Sequence, residues 1–95
     1  MLEREIEQKL VAETKKRGGV AFKFVSPGHD GVPDRLVLMP DGRVAFVELK
    51  APGNKPRALQ KVRICQIRHL GFKVFVVDGK EQIVRVLDAI EGKEP

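Results

Sequence analysis

Apolar side chains recur at helical spacing from Leu2 to about Arg17, through Leu2, Ile6, Leu10 and Val11, and Gly18-Gly19 supplies a stop of the C-cap kind. The period then changes to two. Val20, Phe22 and Phe24 alternate with Ala21, Lys23 and Val25, which predicts a strand closed by Ser26-Pro27-Gly28. A second strand is predicted from about Asp34 to Met39 and a third from Arg43 to Lys50, and the short Pro40-Asp41-Gly42 turn makes them antiparallel neighbours. Ala51-Pro52-Gly53-Asn54 breaks the chain. Lys55 to Leu70 reads as a helix with Leu59, Val62, Ile67 and Leu70 as its apolar positions, stopped by Gly71. The almost wholly apolar run Phe72 to Val77 predicts a strand buried on both faces. After Asp78-Gly79 a closing helix buries Ile83, Val86, Leu87 and Ile90, and Gly92 to Pro95 reads as a frayed tail. The order α-β-β-β-α-β-α predicts one domain over residues 1–95, of α/β class, in which an α+β mixed sheet is flanked by helices.

Composition narrows the class. At 42% hydrophobic and 33% charged, the chain is too apolar to be disordered and too charged to live in a membrane. No apolar stretch approaches the roughly 18 residues of a spanning helix, and Met1 to Glu5 is acidic where a signal peptide is basic, so a cytoplasmic location is expected. The single Cys65 excludes an internal disulfide and a zinc cluster of several thiolates; its expected role is helix packing.

A net charge of +5 suits a polyanionic partner, and its distribution is more telling than its size. Between Glu48 and Asp78 there is no acid, only Lys50, Lys55, Arg57, Lys61, Arg63, Arg68 and Lys73. With no Trp or Tyr and only 5 Phe, aromatic stacking platforms are poorly supported, and phosphate contact is the better reading. Lys55, Arg57, Lys61 and Arg68, with Arg35 and His29 nearer the hairpin, are the candidate DNA-binding residues. Ile64 is anomalous on the basic helix face and reads as a dimer contact.

The third strand carries the chemistry. Alternation puts Val44, Phe46, Glu48 and Lys50 on one face. Charges on so apolar a face are costly unless paired, which a metal or a salt bridge would achieve. The hairpin returns the chain so that Asp34, just after Pro33, converges on Glu48. Two carboxylates sharing a site repel unless a cation lies between them, and a hard divalent ion such as Mg2+ fits that need.

Pro33-Asp34, then 13 residues, then Glu48-Leu49-Lys50, on a hairpin between an N-terminal helix and a basic one, resembles the PD-(D/E)XK nuclease superfamily. Lys23-Phe24-Val25-Ser26-Pro27-Gly28, Gly31-Val32-Pro33-Asp34-Arg35, Glu48-Leu49-Lys50-Ala51-Pro52-Gly53 and the helical Gln60 resemble, more narrowly, its VRR-NUC family, over nearly the whole chain. The resemblance implies a restriction-endonuclease-like core in which Asp34, Glu48 and the Leu49 backbone carbonyl bind one or two Mg2+ ions, with Mn2+ as the alternative. It implies that Lys50 positions or polarises the attacking water and that Gln60 belongs to the active site. It adds a first-helix Glu, for which the helical wheel favours Glu3 and holds Glu7 in reserve. A homodimer acting on branched or four-way-junction DNA, in repair or recombination within a bacterial or phage-infected cell, is the implied setting. No small-molecule cofactor is expected. The rival from another class is a noncatalytic DNA-binding module with a nuclease-like fold.

Overall fold

A computed structural model describes residues 2–93, and no helix among them is long and apolar enough to cross a membrane. The elements are α1 (Glu3–Lys16), β1 (Val20–Lys23), β2 (Arg35–Met39), β3 (Arg43–Leu49), α2 (Ala58–His69), β4 (Lys73–Val77) and α3 (Ile83–Ile90), with short 3-10 turns at Pro40–Gly42 and Lys80–Gln82. The strands form one sheet in the order β1-β2-β3-β4, antiparallel through β3, with β4 parallel to β3. The expected α-β-β-β-α-β-α order and mixed sheet are therefore present. A parallel partner for β3 requires a crossover, and α2 is that crossover.

Alternation gives the sheet two unlike faces. On one, Ala21, Val37, Met39, Ala45, Val47, Leu49 and Val77 pack with Ile6 and Leu10 of α1 and Ile83, Leu87 and Ile90 of α3 into the core. At the far end of these helices Arg17 bonds Asp88 (2.8 Å) and Glu91 (2.7 Å), tying α1 to α3. The opposite face carries Phe22, Leu36, Phe46 and Glu48, and α2 covers only its β3–β4 side, leaving Phe22 54% exposed.

Several expectations require correction. The helix begins at Ala58 rather than Lys55, because Pro56 disfavours helical backbone at Lys55 and Arg57 is still extended (φ −71°, ψ 166°). Its buried positions are Gln60 and Ile64, whereas Leu59, Val62 and Leu70 face solvent. The apolar spacing marked an outward stripe, and Ile64 sits under the helix, which removes it as a dimer contact. Cys65 is exposed and packs no core. β4, by contrast, is covered on both faces as expected although it lies at a sheet edge: α2 and α3 pack on its two sides and bury Val74 and Val77. Gly92 and Lys93 are not frayed: their N–H groups bond the Ala89 and Asp88 carbonyls in a Schellman-like cap with Gly92 at φ +77°, while residues 94–95 lie outside the described residues.

The α1–β1 turn is sterically committed to glycine. A Cβ at Gly19 would meet the Leu38 carbonyl oxygen at 2.5 Å and the Met39 sulfur at 2.6 Å, so a methyl group there must displace the end of β2. Gly19→Ala is expected to destabilise the fold by about 1–3 kcal/mol in chemical denaturation. An unchanged midpoint would show that the turn is looser than described.

Candidate active site

The hairpin register brings the chemistry together. Arg35 pairs with Val47, so one step further Asp34 stands opposite Glu48 on the sheet face that α2 covers. The Leu49 N–H donates to Asp34 Oδ2 at 2.9 Å, which fixes the aspartate across the strand ends. The Lys50 N–H donates to the Val77 carbonyl of β4 at 2.9 Å, so the backbone on both sides of Leu49 is held.

Glu48 is 1% exposed. Its Oε2 accepts hydrogen bonds from Gln60 Nε2 (2.6 Å) and ion-pairs with Lys50 Nζ (3.2 Å). Gln60 Oε1 in turn accepts the Arg57 N–H at 2.8 Å, so one amide caps the start of α2 and grips the Glu48 carboxylate. This arrangement satisfies both ends of the amide, with the carbonyl on a donor and the NH2 on an acceptor.

The other oxygen, Glu48 Oε1, is the buried side-chain atom among the described residues that has no hydrogen-bond partner. Desolvation, and next the negative charge of Asp34, push the Glu48 carboxyl up to about 7, against the opposing pull of Lys50. An unpartnered anionic oxygen beside a second carboxylate is the environment that a cation relieves. Hard carboxylate oxygens suit Mg2+ or Mn2+. Among the described residues no group of three or more His, Cys, Asp or Glu comes together, so the chain offers two carboxylates and, in the expected set, the Leu49 carbonyl. A small ion that keeps several waters and binds substrate oxygens directly needs few protein ligands.

The structure brings Asp34, Glu48, Lys50 and Gln60 together, but not the first-helix glutamates. Glu3 is exposed. Glu7 Oε2 is held by Arg35 at 3.0 Å. The physical reason is that α1 packs against the core face, to which Arg35 also points, whereas Asp34 and Glu48 point to the other. Arg35 gives its third contact to the Ala21 carbonyl (3.0 Å), which takes it out of the DNA-contacting set and makes it a tie between α1, β1 and β2. Arg68 is exposed, but its guanidinium is engaged, donating through Nε and Nη2 to the Val74 carbonyl. Lys55, Arg57, Lys61 and His29 do stand exposed, with no carboxylate partner among the described residues.

Sequence reasoning missed an aromatic group. Phe24, Phe46 and Phe72 meet beside this site, with ring centroids 5.4 Å (Phe24 to Phe46) and 6.2 Å (Phe46 to Phe72) apart. Period two in β1 and β3 put Phe24 and Phe46 on faces, but only the sheet order shows that these faces are one.

The raised Glu48 group has a thermodynamic consequence. Its proton is held more tightly folded than unfolded, so it favours the folded state below the ordinary carboxyl range, and that contribution is lost as pH rises toward 7. Metal-free protein is therefore expected to lose denaturation free energy from about pH 4.5 to 7, and Glu48→Gln to flatten that slope. A slope of the same size in the variant would reassign the effect to other groups.

No family model matches the chain. Among known proteins it is similar to "Putative nuclease p44" of Acyrthosiphon pisum secondary endosymbiont phage 1, at 51% identity over 79 residues, which cover 83% of this chain and 85% of that one. Among solved structures it superposes on a VRR_NUC domain with a TM-score of 0.85 at 30% identity, covering 90% of this chain and 94% of the other. With Asp34, Glu48 and Lys50 in place on that fold, the chain belongs to the VRR-NUC family of PD-(D/E)XK nucleases.

Proposed function

We propose that this protein is a metal-dependent DNA endonuclease that hydrolyses backbone phosphodiesters and favours branched substrates such as four-way junctions. The observation that carries the reading is the buried Glu48 carboxylate across the strand pair from Asp34, with Oε2 ion-paired to Lys50 and Oε1 left without a partner. A divalent ion bound there, Mg2+ or Mn2+, would neutralise a nonbridging phosphate oxygen and lower the pKa of a bound water. Asp34, Glu48 and the Leu49 carbonyl are the residues that would hold it. The Lys50 ammonium, its side chain only 15% exposed, would stabilise negative charge developing on the phosphate. Gln60 keeps the Glu48 carboxylate from rotating.

Lys55, Arg57 and Lys61 follow the catalytic strand directly, so a DNA backbone lying at Glu48 would meet their charge. Such contacts position DNA without reading base sequence, which favours selection by shape. One chain carries one centre, so paired cuts require two copies, and we read the enzyme as a homodimer. The apolar side chains left exposed on the outer side of α2 and on β1, Val62 at 55% and Val20 at 38%, offer surface for a partner of that kind.

The test is a panel of labelled duplex, flap and four-way-junction DNA incubated with Mg2+, Mn2+ or chelator. Cleavage is expected only with metal, with paired symmetric incisions in the junction, and Glu48→Ala, Asp34→Ala and Lys50→Ala should each lower it by about 100-fold or more while DNA binding persists. Binding without cutting under every condition would instead identify a noncatalytic DNA-binding module.

A further inference from the structure

Phe24, Phe46 and Phe72 come from separate strands or their flanks, yet they meet on the sheet face that carries Glu48. With Val32, Ile67 and Leu70 they line an open hollow of about 310 Å3, at the small end of the roughly 300–1,000 Å3 spanned by ligand pockets. Its position is set by the register. Phe46 lies two residues before Glu48 on β3, about 7 Å along the strand. Phe24 donates its N–H to the Asp34 carbonyl at 2.8 Å, which places it across from the other carboxylate. The hollow therefore opens directly beside the proposed phosphate site.

Its floor and rim differ in chemistry. The tilted and edge-on ring contacts leave Phe72 49% exposed, so an aromatic surface is available to an incoming flat group. Ser26, His29, Arg63 and Gln66 complete the lining, and no acidic side chain contributes. The wall is held in shape. Arg63 Nε donates to the Asp30 carbonyl at 2.9 Å, and Gly31, at φ +87°, packs so closely on α2 that a Cβ there would meet the Leu59 backbone at 3.1 Å.

We infer that this hollow receives an unpaired nucleobase of the DNA, adjacent to the phosphate that is cut; the inference rests on the nuclease reading above. A base is a flat apolar disc with a hydrogen-bonding edge, matching an aromatic floor rimmed by Ser, His, Gln and Arg. The positive rim complements a polyanion. It also gives structure selectivity a physical origin: a base already unpaired at a flap or branch enters without the cost of breaking its pair, whereas one in intact duplex must first be extruded.

The experiment uses the full chain, with 2-aminopurine as the probe base, placed either unpaired beside the cleavage position or inside intact duplex. Binding is read by fluorescence on Glu48→Gln protein, and cleavage on the wild-type background. The unpaired probe should change its fluorescence on binding, and Phe72→Ala should abolish that change. Phe72→Ala should also slow cleavage beside the unpaired base by about 5- to 160-fold, the factor for one base–aromatic stack, and duplex cleavage by less than twofold. Phe72→Tyr should restore both. Leu70→Ser, at the exposed mouth, gives a second perturbation that spares the sheet. Equal slowing on all substrates, with loss of the dimer in sedimentation, would make the hollow a contact between copies and overturn the inference. So would a probe signal indifferent to both variants. Absence of any cutting by wild-type protein would defeat the nuclease reading alone, because the fluorescence reports base capture without cleavage.

Discussion

A glutamate almost wholly removed from water, facing an aspartate across a strand pair, is the constraint on which the rest of this molecule turns. Left alone, such a pair is unfavourable at neutral pH: burial and like charge both act against ionisation, and Glu48 is shifted up to about 7 as a result. The surrounding groups offset only part of this. Lys50 and Gln60 satisfy one oxygen and leave the other without a partner. A purely structural site would have been better served by an apolar residue of similar size. On the proposed reading, a cation and a phosphate brought together at this pair would give the carboxylate its role.

The fold supplies the rigidity for this arrangement from its other face. Core packing of α1 and α3 fixes Val37, Val47 and Leu49, whose neighbours along the chain are therefore held with their side chains pointing the opposite way. The β3-α2-β4 crossover then lays Gln60 over Glu48 and lets β4 bond the backbone at Lys50. Arg35 contributes at a distance, joining α1 and β1 to the strand that begins beside Asp34. Stability and chemistry occupy opposite sides of one sheet.

The site was legible in the sequence because strand alternation and a short turn are local rules: Asp34 and Glu48 could be set opposite one another from the hairpin alone. Gln60 was legible only through the family resemblance. What escaped was decided by long-range packing. The Leu59, Val62, Leu70 stripe has helical spacing whether it meets a core or solvent, and only the placement of α2 reveals Ile64 and Gln60 as its inner side. Glu3 and Glu7 could be ranked on a wheel, but which face of the sheet α1 covers is not written in its period. Arg35 and Arg68 counted as free charge until their guanidinium groups were seen on a carboxylate and on main-chain carbonyls. The phenylalanines looked too few to matter, and it is their convergence, not their number, that gives them a role.

The central claim is that Glu48 and Asp34 form a strained carboxylate pair that a divalent cation relieves. A carbon-detected NMR titration of the Glu48 side-chain carboxyl, in metal-free protein and again with Mg2+, tests it most directly. The account predicts a midpoint near 7 without metal, shifted well to the acid side when Mg2+ is added, and lowered likewise by Asp34→Asn. A midpoint in the ordinary glutamate range, unmoved by metal and by Asp34→Asn, would contradict it.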